Sequence, residues 1–386
     1  MRPAFISYSG DRTDRGLLVD ALREHGVVPW RDVENLLPAA ATTDAIGAAL
    51  ATCNTAVLWI NEGVLRSEFV RLVELPAIAR AWRTGALHIF PVFDGLTPEA
   101  ASTALAQWGI EVGDQNGFVV EPGASKEEVA STIARRLLRT ALADAHAAGS
   151  PPVVRLVSYD DTAALKEEAI VNLDWRHCVA TDGRPLHEAR LVEALRAVAE
   201  SVTQSYGAAE LTLAVKAHLP FAVALGHAFA EPTGCTLRMP RDGVDYLVRR
   251  SPSSGSLLHI ENGLRGPIAT RAASVEVSVT RDIESGVNAY VAAGNRYRER
   301  VMLRPEAGVS RGVLDDPALV DTWSRQVGNV LISLRDQPGI DRIDLFLSAP
   351  VELAVAVGWH ANALGPVDLM NWSGKEGPYV RTWTLH

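Results

Sequence analysis

The strongest constraint on this chain is an internal repeat. Residues 211–230 (LTLAVKAHLPFAVALGHAFA) align without gaps on residues 343–362 (IDLFLSAPVELAVAVGWHAN), 132 positions further on. Leu213, Ala217, Ala222, Val223, Ala224 and Gly226 recur as Leu345, Ala349, Ala354, Val355, Ala356 and Gly358. Each copy reads as a strand, a tight turn and a small-residue helix, and each is followed by another short apolar strand, at 235–239 and 367–370. Helix-period segments at 191–204 and 323–334 keep the same offset. A repeat of this kind needs its neighbour to complete a core, so the second part of the chain is expected to contain two similar α/β lobes.

The remaining length leaves room for at least one more domain. At roughly 150 residues per domain, 386 residues predict two large domains or three small ones. The segment 147–152 (AAGSPP) is small-residue rich and then proline-stiffened, a sequence that no helix continues through, and it is the expected linker. With 47% hydrophobic and 22% charged residues, both sides of it can fill a core.

Charge and cysteine content narrow the chemistry. A net charge of −9 offers no long-range attraction to duplex nucleic acid or an anionic membrane, whereas a small anionic ligand needs only a few local cations. The three cysteines, Cys53, Cys178 and Cys235, are far apart and form no CxxC pair, which supports neither a disulfide framework nor a zinc site and suits a reducing cytoplasm. The apolar run at the start is too short for a signal-peptide core, and no stretch is long enough to span a membrane. P-loop, GxGxxG, HExxH and GxSxG signatures are missing, so no metal or resident cofactor is expected.

In the first part, apolar strands at 3–8, 26–30, 56–60 and 87–93 alternate with helices at 14–25, 44–51, 64–82 and 125–146, a pattern that predicts a parallel α/β sheet. Ala4-Phe5-Ile6-Ser7-Tyr8-Ser9 followed by Asp11, then Gly26 to Leu36 (GVVPWRDVENL), then Ala56-Val57-Leu58-Trp59-Ile60-Asn61, Ser67-Glu68-Phe69-Val70 and Ile89 to Gly95 (IFPVFDG) together resemble a Toll/interleukin-1 receptor (TIR) domain. The resemblance covers about the first 145 residues and implies a flavodoxin-like fold for residues 1–146. The loop beginning Asp32-Val33-Glu34-Asn35-Leu36 is closer to the NAD-cleaving members than to the adaptors. In those members a glutamate on the helix after the third strand carries the reaction. By position that is Glu74, with Glu68 as the second candidate, because the gap from Phe69 to Glu74 is one residue longer than usual and Ala39 or Ala40 stands where the family has glycine.

A single carboxylate suits this chemistry. Nicotinamide leaves NAD+ as a neutral ring, so no general acid is needed, and one fixed negative charge can hold the ribose hydroxyls and stabilise an oxocarbenium-like centre. NAD+ would then be a substrate. Ser7 and Tyr8 are expected to line the site, with Trp30, Asp32 and Leu36, since parallel sheets gather ligands beyond the carboxyl ends of their strands. Trp59 is read as a core aromatic.

For the second part, the turns Lys216-Ala217-His218 and Ser348-Ala349-Pro350 each lie between a strand and a helix start, where free N–H groups and the helix dipole favour phosphate. Pro220 and Pro350 suit a first helical turn. Lysine is rare here, occurring only at 126, 166, 216 and 375, which adds weight to Lys216. Trp175, Arg176 and His177 form a second candidate cluster for stacking and phosphate pairing, as do Thr280 and Arg281, and Arg296 and Arg298. His218 has the alternative role of a packed turn residue. The Ala-Val-Ala-x-Gly helices are read as core, their glycines letting strand and helix approach.

From about residue 153 to 386 the repeated lobe resembles the SAVED sensor domain of bacterial antiphage systems, itself similar to two fused CARF halves. Joined to a TIR domain, it resembles the TIR-SAVED effectors of CBASS defence. That resemblance implies a cyclic oligoadenylate activator, cyclic tri-adenylate foremost, and head-to-tail self-association into filaments. In such an assembly the 32–40 loop of one protomer would complete the Glu74 site of the next, and NAD+ would be cleaved to nicotinamide and ADP-ribose or its cyclic form. The alternative is a non-enzymatic TIR scaffold that assembles on nucleotide binding and recruits other TIR proteins.

Overall fold

The computed structural model describes residues 2–8, 12–30, 42–115, 117–160, 168–207, 209–249, 255–263, 266–267, 269–312, 314, 316–362, 365–374 and 379–386. The chain divides into two compact units, residues 1–141 and 142–386. The division falls inside the helix Lys126–Ala147, and within the second unit His146 meets Tyr206 edge to face at 5.0 Å.

The first unit is a five-stranded sheet with strands β1 (Ala4–Ser7), β2 (Pro29–Trp30), β3 (Thr55–Ile60), β4 (His88–Asp94) and β5 (Phe118–Val120), ordered β2-β1-β3-β4-β5 with every pairing parallel. This is the doubly wound order 2-1-3-4-5. Its strands carry unbroken apolar runs because helices cover both faces; β1 is buried throughout and Ala56 to Ile60 of β3 are too. Helix α1 (Arg12–Glu24) turns into β2 through Gly26 at φ 80°, whose N–H bonds the Arg23 carbonyl while Val27 N–H bonds the Leu22 carbonyl, a Schellman closure that a residue with a Cβ would strain. Helix α2 (Thr42–Thr52) leads to β3.

Where one helix is expected over 64–82, the chain forms three pieces: α3 (Glu62–Arg66), a π-helical turn (Val70–Glu74) and α4 (Leu75–Arg83). Ser67 leaves the helical region at ψ 116°, and the wider π turn accommodates one extra residue before α4 resumes with Leu75, Ile78 and Ala79 against the sheet. Helices α5 (Pro98–Leu105) and α6 (Lys126–Ala147) complete the unit.

The second unit has the expected two lobes. In the first, β6 (Val153–Val157), β7 (Val171–Asp174), β8 (Glu210–Lys216), β9 (Thr236–Arg241) and β10 (Val244–Val248) run in the order β10-β9-β8-β6-β7. In the second, β11 (His259–Asn262), β12 (Ala272–Ser278), β13 (Glu299–Arg304), β14 (Arg342–Ser348), β15 (Val367–Trp372) and β16 (Tyr379–Leu385) run in the order β16-β15-β14-β12-β13-β11. The sheets match strand for strand, down to the antiparallel outer pair beside a parallel centre, with β11 added to the second lobe. Helices α7 (Glu188–Tyr206) and α8 (Leu219–Ala228) have α10 (Ala318–Arg335) and α11 (Val351–His360) as counterparts, while α9 (Glu284–Ala292) joins β12 to β13.

The repeated helices α8 and α11 pack on each other. A Cβ on Gly226 would collide with the Val355 carbonyl oxygen, and one on Gly358 would collide with the Val223 carbonyl oxygen. The repeated glycine therefore has a different reason from the expected one: it admits the partner helix, not a strand. Ala222, Val223, Ala224, Ala354, Val355 and Ala356 are all buried around this reciprocal contact. No described helix is long and apolar enough to cross a membrane.

Candidate functional site

Two sites stand out, one in each unit. In the first unit, Ser7 ends β1, Trp59 lies one residue from the end of β3 and Asp94 ends β4, which places all three at the carboxyl edge of the sheet. Ser7 Oγ donates a 2.6 Å hydrogen bond to Glu74 Oε2. Both groups are withdrawn from solvent, Ser7 being 0% and Glu74 5% exposed, whereas Glu68 is exposed. Glu74 ends the π turn Val70–Glu74. Tyr8 is half-buried with its ring edge-on to Trp59 at 5.5 Å, and Trp59 Nε1 donates to Asp94 Oδ2 at 2.9 Å. Trp30 stacks on Phe5 at 5.0 Å, so one face of its indole is already covered. Asp32 and Leu36 lie outside the described residues. Asp94 is absent from the sequence expectations; its position at the end of an apolar strand is the signal for it.

In the second unit, a cavity of about 880 Å³ opens at the carboxyl ends of β12 and β14, at the upper end of the range for small-molecule sites. Thr280, Arg281, Ser348, Ala349 and Pro350 line it, and Thr280 Oγ1 and Ser348 Oγ are 2.9 Å apart. The starts of α9 and α11 also face it, through Ile283, Ser285 and Pro350, and no side chain caps the α11 N-terminus, so backbone N–H groups and the helix dipole favour an anion there.

Among the described residues, three arginines reach the cavity: Arg241, Arg281 and Arg311. Arg241 is committed to the buried Glu352 at 3.2 Å, and that carboxylate is the main cause that strengthens its hold on its proton. Arg281 and Arg311 are exposed and make no ion pair with the described residues. Trp372, 44% exposed, stands at the rim with its ring against Tyr379 at 5.1 Å. Sequence reasoning missed Arg241, Arg311, Trp372 and Tyr379. Arg241 and Trp372 were within its reach, since they end the equivalent strands β9 and β15 and extending the repeat by one strand finds both.

Several expected ligand contacts lie elsewhere. Trp175 is 0% exposed, stacked on Trp383 at 6.1 Å and edge-on to Phe221, so no face is left for a base. Arg176 pairs with Asp174 at 2.6 Å and Asp160 at 3.1 Å, which neutralise it locally, and His177 meets Cys178 Sγ at 3.1 Å. Arg296 and Arg298 precede β13, at the amino edge of the sheet opposite the cavity; Arg298 donates to the Pro338 carbonyl. Lys216 is half-buried at the end of β8 and is not among the cavity lining. His218 is the packed turn residue: Ser158 Oγ lies 2.8 Å from its Nδ1 and also accepts its backbone N–H, Tyr159 and Phe221 flank the ring, and burial depresses its pKa. From the first-lobe turn only Leu219 enters the cavity.

Residues 194–385 match the SAVED family model, described as a SMODS-associated sensor domain fused to various effectors, so the second unit carries a SAVED domain. A solved structure of an Acinetobacter baumannii Cap4 SAVED/CARF-domain containing receptor with the cyclic trinucleotide 3'3'3'-cAAA is similar, with a TM-score of 0.50, 14% identity, and 90% of this chain and 86% of that one covered. The same receptor with 2'3'3'-cAAA gives a TM-score of 0.52 at 14% identity, covering 99% of this chain and 80% of that one. These likenesses establish an α/β fold of the SAVED/CARF kind. No curated protein matches the sequence.

Proposed function

We propose that the SAVED domain binds a cyclic oligoadenylate, cyclic tri-adenylate foremost, in the cavity at the ends of β12 and β14. The observation that carries this reading is two unpaired guanidinium groups, Arg281 and Arg311, among the described residues of a cavity faced by helix starts and rimmed by an exposed indole. Phosphates take the cations and helix ends, and a base takes Trp372. The SAVED/CARF neighbours solved with cyclic trinucleotides support the ligand class.

We propose further that the first unit is a TIR domain that cleaves NAD+, as in CBASS effectors. Support comes from its 2-1-3-4-5 parallel order and from a carboxylate, Glu74, withdrawn to the sheet's carboxyl edge beside Ser7, Tyr8 and Trp59. The ribose C1′–nitrogen bond breaks with its electron pair passing to the nicotinamide ring, which leaves neutral; Glu74 stabilises the cation left on the ribose. Water or an adenine nitrogen then adds to C1′ and a proton is released. Ligand binding couples to this reaction through self-association, so activity depends on both ligand and protein concentration.

The test is nicotinamide release from NAD+ by the full chain, with and without cyclic tri-adenylate. Release that requires the nucleotide and falls at least 100-fold in Glu74→Gln but not in Glu68→Gln supports the reading. Assembly without nicotinamide release replaces it with the non-enzymatic scaffold.

A further inference from the structure

Among the residues at the carboxyl edge of the first sheet, Ser7 was expected to touch substrate. Its surroundings assign it another task. It is fully buried, it ends β1, and its hydroxyl donates at 2.6 Å to one oxygen of Glu74, a short charge-assisted geometry. The strand fixes Ser7 on one side: Ile6 and Ser7 pair with Val57 and Leu58 of β3. The π turn and the packed start of α4 fix Glu74 on the other. A rigid donor on Oε2 restricts how the carboxylate can turn.

We infer that Ser7 is a positioning residue for Glu74: it holds the carboxylate ionised and oriented for the ribose, and it makes no contact with substrate itself. This rests on the NAD+-cleaving reading of the first unit. A hydrogen bond to the charged form favours that form, so losing it has two separable consequences. The carboxylate takes up a proton at higher pH, and its orientation loses one of its constraints. A π turn is a common device at functional sites because it re-aims one side chain without disturbing the flanking helix. Here it aims Glu74 at the hydroxyl that the end of β1 presents.

The experiment compares wild type, Ser7→Ala and Ser7→Thr in the full chain, activated with cyclic tri-adenylate, as rate against pH. The expected result is a drop in kcat of about tenfold at pH 7.5 in Ser7→Ala with KM for NAD+ changed less than twofold, the acid limb of its profile moved up by about one pH unit, and Ser7→Thr restored to within about threefold. An unmoved acid limb, or a loss confined to KM, overturns the inference. A second readout is independent of turnover: titration of 13C-carboxyl-labelled glutamate, with the Glu74 signal identified by its loss in Glu74→Gln. That signal is expected to titrate at higher pH in Ser7→Ala than in wild type, and coincident titrations overturn the inference. Should wild type release no nicotinamide at all, the NAD+ reading fails by itself, and the carboxyl titration still decides whether Ser7 holds Glu74.

Discussion

The two copies of the strand-turn-helix repeat have almost the same backbone and opposite fates. In the first lobe, the turn after β8 is filled: Ser158 accepts the His218 N–H and meets its ring, and Tyr159 and Phe221 close around it. In the second, the turn after β14 has Pro350 where the first has His218 and Ser348 where the first has Lys216, and Ser348 Oγ lies 2.9 Å from Thr280 Oγ1. That turn stays open and faces the cavity. Pseudo-symmetry of the fold thus does not carry over to the site. A repeat locates equivalent positions, but the side chains at one or two of them decide which copy is a pocket and which is a plug.

The largest test of this asymmetry reverses charge in the open lobe. Arg281→Glu combined with Arg311→Glu should weaken cyclic tri-adenylate binding by more than about 100-fold in calorimetry, since each charge-assisted contact contributes roughly 1.5–3 kcal/mol. Lys216→Ala, in the plugged lobe, should change it less than about twofold. Equal losses from both lobes would mean that the ligand spans the pair symmetrically and that the comparison is wrong.

The next effect concerns what the lobes share. Gly226→Ala and Gly358→Ala each drive a methyl into the opposite helix's carbonyl, and each should cost about 2–3 kcal/mol in urea unfolding, by similar amounts. A large difference between the two would show that the helix pair is not reciprocal. Smaller again is Trp372→Ala: removing a stacking platform should weaken nucleotide binding by about 5- to 50-fold, with little change in unfolding because the ring is 44% exposed.

The smallest effect reads the plug itself. Burial holds the folded-state pKa of His218 below its unfolded value, so the unfolded chain binds the proton more readily. Stability from this residue is present at neutral pH and is lost as pH falls through the unfolded value of about 6.5 towards the folded one. His218→Gln should flatten that part of the stability profile between pH 7 and pH 5 by a few tenths of a kcal/mol, measured by urea denaturation at both. An unchanged slope would place the titration on His227, which burial shifts the same way.

Much of the fold was legible because it follows from local pattern. The repeat offset predicts both lobes, and the apolar runs predict the parallel sheet of the first unit. That Thr280, Arg281 and Ser348 lie at strand ends beside helix starts was legible because those are one-dimensional features. The failures have one cause: exposure is decided by partners distant in the chain. Nothing near Trp175 announces Trp383, 208 positions away, yet that ring and Phe221 enclose it. Arg176 resembles a phosphate ligand until Asp160 and Asp174 fold against it. The sequence also offers no way to see that the stretch after Phe69 forms a π turn ending at Glu74, with Glu74 buried against Ser7 and Glu68 exposed.

The interlocked glycines have a consequence for how the two halves can change. Each owes its clearance to the main chain of the other copy, so enlarging either one demands a backbone movement in its counterpart, and substitutions there are tolerated only as coordinated pairs. A few residues upstream no such bond exists, and the turns have drifted apart in size and polarity. Divergence between the copies is thus channelled: frozen at the seam, free at the mouth, where a new preference for a guest molecule can arise without loosening the helix contact that joins them.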